Sequence, residues 1–235
     1  MSRYPHHPHA LGALSVAMLL ALALGGGCHR PPAGEFTQGL IRYSISYDSL
    51  TQSGIPHRLL PTELTIRFKD SNTHTAIGGL MSLALIKNCE QKLFTSMVNF
   101  KFTGTRLKHT ESISGCLPAL YASIPKVTLS DQAEECQMLG LSCKRTTGRY
   151  SSAEHPFEII YTNDIHIDRP NLGTPFEEID GVMLAFTLNM PPFMMHVRAT
   201  EVVHEEVDAA EFEAPSSYTE VDQATLQKLL QTILR

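Results

Sequence analysis

The sequence predicts a mainly β protein of the α+β kind, built on one antiparallel sheet. From Gly39 onward, short stretches alternate apolar and polar residues, and turn-forming residues separate them at short intervals. Only one stretch, at the C-terminus, has a clear helical spacing of apolar residues. The regular strand–helix alternation of a parallel sheet is not present.

The first strand places Ile41, Tyr43, Ile45 and Tyr47 on one face and Arg42, Ser44 and Ser46 on the other, the period-two pattern of a half-buried strand. Leu64, Ile66 and Phe68 repeat it against Thr65, Arg67 and Lys69. Residues 80–87 and 93–102 read as two strands around the polar turn Asn88–Gln91. Phe157–Tyr161, Val182–Leu188 and His196–Val207 continue the series. Asn171–Glu178 has room for a turn or two of helix. Leu226, Leu229, Leu230, Ile233 and Leu234 form an apolar helical stripe, with Thr219 and Asp222 placed to open the helix as a variant capping box. That stripe is expected to lie on the sheet rather than to meet a partner.

At 235 residues the chain suits one domain with short appendages. It is 43% hydrophobic and 18% charged, which suits a globular protein. The net charge of -5 argues against nucleic acid as a partner, because phosphate neutralisation needs a basic face. The apolar residues are unevenly spread. Ala10 to Leu24 carries no charge but falls short of the ~20 residues that span a bilayer. It follows Arg3 and precedes Gly25, Gly26, Gly27 and Cys28. A basic start, a short apolar run and small residues before a cut are the plan of a secretory signal peptide. The run Leu24-Gly-Gly-Gly-Cys28 resembles a bacterial lipobox, with Gly25 where an aliphatic residue is usual. Residues 1–27 are therefore expected to be a signal peptide, with lipidation at Cys28, and ordinary cleavage between Ala21 and Gly27 as the alternative. Residues 28–35 would be the lipidated Cys and its tether, and 36–235 a single β-rich domain. Several acyl chains on Cys28 would hold the membrane, since each buried methylene contributes about 0.8 kcal/mol.

Four further cysteines remain: Cys89, Cys116, Cys136 and Cys143. A two-residue turn at Leu139-Gly140 would set Cys136 directly opposite Cys143, at a separation that suits a disulfide. Cys89 and Cys116 would pair by elimination, and buried free thiols are the alternative. No CxxC signals a redox or zinc site.

Catalytic motifs are missing: there is no GxSxG, GxxxxGK or HExxH. Ser114-Gly-Cys116-Leu-Pro118 is a weak nucleophile turn without a His tied to it by spacing. His196, His204 and Glu206 would share a strand face with Arg198 and Thr200, and a solvated face explains them better than a metal does. His166 and Asp168 form an equally weak pair. No cofactor or metal is expected. Met190, Met194 and Met195 surround Pro191-Pro192-Phe193 beside His196; flexible thioethers of this kind line adaptable apolar cavities more often than they bind Cu(I). Met183, Met190, Phe193 and Met194 are the candidates for an apolar ligand cavity.

Several stretches follow one another in a set order: Gly39-Leu-Ile-Arg-Tyr43-Ser-Ile-Ser-Tyr47, Leu139-Gly140-Leu-Ser-Cys143-Lys144-Arg145 and Tyr161-Thr162-Asn-Asp164-Ile165. Asp180-Gly181-Val-Met-Leu184, Ala199-Thr200-Glu-Val202 and Phe212-Glu213-Ala-Pro215-Ser-Ser-Tyr218 come after them. In that order the chain resembles the GLPGLI-like, domain-of-unknown-function exported lipoproteins of Gram-negative bacteria, which are related in fold to outer-membrane lipoprotein carriers, with IDGVML in place of the full GLPGLI string. The resemblance implies a strongly curved half-barrel sheet with helices covering its concave face, the face in which carriers of that shape hold acyl chains, and it carries no catalytic residues. The expected protein is thus non-catalytic and lipid-anchored in the cell envelope, at the outer membrane facing the periplasm. It would bind a lipid, an acyl chain or another envelope protein. A structural component of an envelope assembly is the alternative, and a hydrolase the weakest.

Overall fold

In the computed structural model, the residues described are 36–48, 60–79, 81–113, 118–119, 121, 124–151, 155–190 and 193–233. The signal peptide, Cys28, the tether and Cys116 all lie outside them. The first strand, β1 (Gln38–Tyr47), alternates as its sequence dictates. Ile41, Tyr43 and Ile45 are buried, while Arg42, Ser44 and Ser46 are exposed. The face carrying Tyr43 is the inner face of the sheet, and the face carrying Arg42 the outer one.

Twelve further strands join it in one sheet: β2 (Glu63–Lys69), β3 (Asn72–Ile77), β4 (Met81–Asn88), β5 (Leu93–Phe100), β6 (Thr105–Ser112), β7 (Val127–Leu129), β8 (Glu134–Met138), β9 (Leu141–Tyr150), β10 (Phe157–Thr162), β11 (Val182–Met190), β12 (Phe193–Val203) and β13 (Thr219–Glu220). Their order across the sheet is β13-β6-β5-β4-β3-β2-β1-β12-β11-β10-β9-β7, with β8 paired to β9. All pairings are antiparallel except that of β13 with β6. The sheet is curved and does not close. The fold class read from the sequence, mainly β with a half-barrel-like antiparallel sheet, is the one observed.

Two bulges interrupt the register of the sheet. The register of β1 on β12 slips between Arg42 and Tyr43, where Glu201 and Ala199 are the partners and Thr200 is the extra residue. That of β10 on β11 slips between Ile160 and Tyr161, leaving Leu184 as the extra residue. An extra residue on one strand bends it and increases its twist. Two tyrosine hydroxyls then tie the inner face. Tyr43 Oη donates to the Met183 carbonyl at 2.9 Å and Tyr150 Oη to the Thr187 carbonyl at 2.8 Å, each two strands away. In a flat sheet that distance is about 9.5 Å between strands, so such reach goes with curling.

The main core fills the inner face. Tyr43, Phe68, Phe94, Val98, Ile159, Leu184 and Phe186 from the strands pack with Ile165, Ile167, Phe176 and Ile179 from the covering segment between β10 and β11. Asn171–Glu178 forms turns there and no helix. The reason is in its bonds: buried Asn171 donates through Nδ2 to the Ile179 and Gly181 carbonyls, at 2.7 and 2.9 Å, which folds the segment back on itself. Gly173 sits at φ 73°, and a Cβ there would lie 2.8 Å from Phe94 Cζ and 2.9 Å from Pro118 Cδ, so only glycine fits.

The outer face carries a smaller core. After β12 the chain crosses the sheet as a strap through a 3-10 turn, Ala209–Phe212. Val207 and Phe212 pack there on Ile86 and Met97. Lys69 Nζ donates to the Val207 carbonyl at 3.1 Å and Asn88 Nδ2 to the Phe212 carbonyl at 3.3 Å. The strap ends in β13, whose Glu220 carboxylate accepts from the Thr110 amide at 2.7 Å and so satisfies an edge donor of β6. Helix α1 (Gln223–Ile233) follows with Leu226 and Leu230 in the main core. It begins at Asp222, which accepts from the Thr225 amide at 2.7 Å; Thr219 belongs to β13 and takes no part in the cap.

Candidate apolar ligand site

Between the inner face and the covering segment the packing leaves a narrow hollow of about 60 Å³. The strands supply Tyr43, Leu64, Ile66, Thr73, Thr75, Val182, Met183, Phe186 and Leu188. The covering segment supplies Ile167, Pro170, Asn171, Thr174 and Phe176, and Tyr121 closes one side. Alternation explains the set: every second residue of β1, β2 and β3 points inward, and the curve brings these rows together. The lining suits a slender, largely apolar group. Thr73, Thr75, Thr174, the amide of Asn171 and the hydroxyls of Tyr43 and Tyr121 are the polar exceptions, and Asn171 spends both its donor hydrogens on backbone carbonyls. Burial pushes the Tyr43 hydroxyl well above the usual phenol range, so it stays neutral and serves as a donor. A second, smaller hollow of about 20 Å³ shares Thr75, Tyr121 and Leu188 with the first and adds Ile77, Leu83 and Met190.

A polar cleft of about 400 Å³, open to solvent, adjoins the apolar hollow through Ile167 and Pro170. Asp70, Asp168, Asp180, His166 and Asn163 line it. Beneath this region lies Lys87, whose side chain continues the inward row Leu83–Leu85 of β4 and is 2% exposed. Its ammonium donates to the Asp168 and Arg169 carbonyls, each at 3.0 Å. Arg169 is held at φ 46°, a conformation uncommon for a residue other than glycine, and its carbonyl also accepts from the Leu172 amide at 3.1 Å. Lys87 thus pins the covering segment to the sheet. Burial lowers its pKa, against the opposing pull of Cys89 and Asp168.

The cavity candidates read from the sequence separate. Met183 lines the main hollow and Met190 the smaller one. Met194 lines neither; it is opposite Asn189, and the adjacent Met195, opposite Leu188, is the buried member of the pair. Phe193 opens β12, opposite Met190. His196 and His204 do not share a strand face, because the bulge at Thr200 breaks the alternation between them and β12 ends at Val203. His196 instead meets Asp48 through Nε2 at 2.8 Å and the Thr187 hydroxyl through Nδ1 at 3.0 Å, and His204 packs edge-on against Phe36. Among the described residues no three metal-ligating side chains converge.

The hairpin at Leu139-Gly140 forms with the expected register: Met138 opposes Leu141, Gln137 opposes Ser142 and Cys136 opposes Cys143. The disulfide expected there is not formed, and Cys89, Cys136 and Cys143 are free thiols. Cys89 donates from Sγ to the Ser71 carbonyl at 3.1 Å, and its supposed partner Cys116 lies outside the described residues.

What the sequence reading missed is the inner row as a set. Tyr43 and Leu64 were legible as buried, but Lys87 and the covering segment were not tied to them. The signal was there for Lys87 alone: it falls on the inward parity of Leu83 and Leu85.

Fold and site together define a class: a single curved β-sheet whose inner face is covered by its own chain, with an apolar hollow between. Searches against protein families and against curated proteins give no match. Among solved structures the chain is similar to PNGF-II in a C2 crystal form, at 15% identity and a TM-score of 0.46, over 83% of this chain and 32% of that one. The chain therefore spans about a third of the length of that protein.

Proposed function

We propose that this chain is a lipid-anchored cell-envelope protein that binds an apolar ligand, an acyl chain or a hydrocarbon of similar girth, without catalysis. The observation that carries the reading is the hollow between the inner face and the covering segment, lined by Leu64, Ile66, Met183, Phe186 and Leu188. Slender hydrocarbon suits it because the lining offers dispersion contacts and few unpaired polar groups. The layout of residues 1–28 supports export and lipid anchoring, and the outer membrane facing the periplasm is the place this proposal gives the anchor. Among the described residues no helix is long and apolar enough to cross a membrane.

Thr75 borders both hollows, so Thr75→Phe fills them from the β3 side. Titration with cis-parinaric acid, followed by its fluorescence, is expected to show saturable binding by the wild type. Thr75→Phe should weaken it at least ~10-fold, a loss of about 1.4 kcal/mol. A wild type that binds no parinaric acid, and carries no lipid in native mass spectrometry, overturns the ligand reading. Anchoring is separable. Palmitate fed to expressing cells should label the wild-type chain and leave Cys28→Ala unlabelled; a wild type without label removes the lipid anchor from the proposal.

A further inference from the structure

We propose that Cys136 and Cys143 are a redox pair, closed to a cross-strand disulfide by exchange with an external disulfide. The bridge would clasp the edge strand β8 onto the sheet. Three observations support it. Leu139 at φ 53° and Gly140 at φ 80° form a two-residue turn with both residues left-handed, which fixes the register of the hairpin. That register puts Cys136 directly opposite Cys143, hence on the same face of the hairpin. Opposed residues of an antiparallel pair stand about 4.5–5.5 Å apart at Cα, within the range a disulfide accepts.

The third observation concerns β8 itself. Its five residues pair with β9 alone, and Glu134, Glu135 and Gln137 are exposed. Only Cys136 and Met138 turn toward the core. The partner strand is firmly held: the Ser142 amide donates to Asp164 at 2.8 Å, and the Ser142 carbonyl accepts from the Thr162 hydroxyl at 2.7 Å. A short edge strand with so few side-chain contacts opens more readily than the strands inside the sheet. A bond between the two sulfurs removes that freedom at this edge of the sheet.

The order of events follows from burial. Cys136 is half-buried and Cys143 buried, and burial together with the neighbouring Cys136 pushes the Cys143 thiol up. The Cys136 thiolate, having lost its proton to solvent, therefore attacks the external disulfide first, forming a mixed disulfide and releasing one thiolate. Cys143 then loses its proton and attacks the Cys136 sulfur, releasing the second thiolate. In total two protein thiols give one disulfide, and the external disulfide is reduced to two thiols. The ligand reading is not needed for this step.

The full chain incubated with oxidised glutathione, alkylated and mapped by peptide mass spectrometry, tests it. A Cys136–Cys143 bridge is expected, with hydrogen exchange of the 134–138 amides slowed about tenfold or more relative to dithiothreitol-treated protein. Cys143→Ser should stop at a glutathione adduct on Cys136, while Cys136→Ser should resist modification at Cys143. Wild type that ends as the glutathione adduct at Cys136, or that bridges Cys136 to another cysteine, overturns the pair. A bridge that leaves exchange of 134–138 unchanged overturns the clasp.

Discussion

Replacing Lys87 by Ala is expected to cost about 3 kcal/mol or more, since it takes a donor from two carbonyls and opens a void. The Asp168 and Arg169 carbonyls lose their shared donor beneath the covering segment, and the four-carbon stem leaves the row formed by Leu83 and Leu85. For a domain of this size the loss corresponds to a fall in Tm on the order of 10 °C, read by calorimetry. Lys87→Met keeps the stem volume and removes only the donor, so it should fall between the wild type and Lys87→Ala. A Met variant as stable as the wild type would show that the ammonium does not pin the segment. The pH dependence has a definite sign. Burial sets the folded pKa of Lys87 below its ordinary 10.5, so the unfolded chain holds more protons in the interval between the two values. Stability relative to Lys87→Met should therefore rise as pH climbs through that interval, and flatten once 10.5 is passed.

Phe176→Ala should cost about 3–5 kcal/mol, because it empties a fully enclosed aromatic site. Phe176 is 1% exposed and stands between Phe186 at 5.6 Å and Phe157 at 6.3 Å, both edge-on. It also forms part of the wall of the main hollow, so the substitution enlarges that hollow. An apolar void of this kind admits small hydrocarbons. Thermal unfolding with and without benzene should show a larger benzene-induced rise in Tm for Phe176→Ala than for the wild type. Equal shifts would mean that the covering segment collapses into the space instead. These two substitutions test the same element from opposite ends, one through its backbone and one through its core aromatic.

Much of the sheet was legible because alternation is a local property. Ile41, Tyr43 and Ile45 against Arg42 and Ser44 define a buried and an exposed face whatever their neighbours are. The Leu139-Gly140 hairpin was legible for the same reason, since a two-residue turn fixes its flanking pairs. The strand at His196–Val207 was legible only in part: β12 begins at Phe193, ends at Val203 and carries a bulge at Thr200 that alternation does not announce. Strands β3 and β6 went unread because Asn72–Ile77 and Thr105–Ser112 are rich in polar residues and lack a strong apolar row. Their strand state is imposed by neighbours already in the sheet.

The cavity shows where local reading ends. Met183, Met190, Phe193 and Met194 were grouped by closeness in sequence, yet neighbours in a strand face opposite sides, and only Met183 reaches the main hollow. Its actual wall joins residues from β1, β2, β3 and β11 with the segment around Phe176. No local pattern relates Tyr43 to Met183, or Lys87 to Asp168, because those contacts exist only after the sheet has curled.

By itself, then, the sequence determined the strand faces, the tight hairpin opposing Cys136 and Cys143, and the C-terminal amphipathic helix, all properties with short periods. Tertiary structure alone decided the order of the strands, the two bulges that bend β11 and β12, the strap across the outer face and the segment closing the inner one. The physical reason is range. Alternation and turn geometry act over a few residues, whereas curvature and enclosure depend on packing between residues separated by a hundred positions or more, such as Tyr43 and Met183.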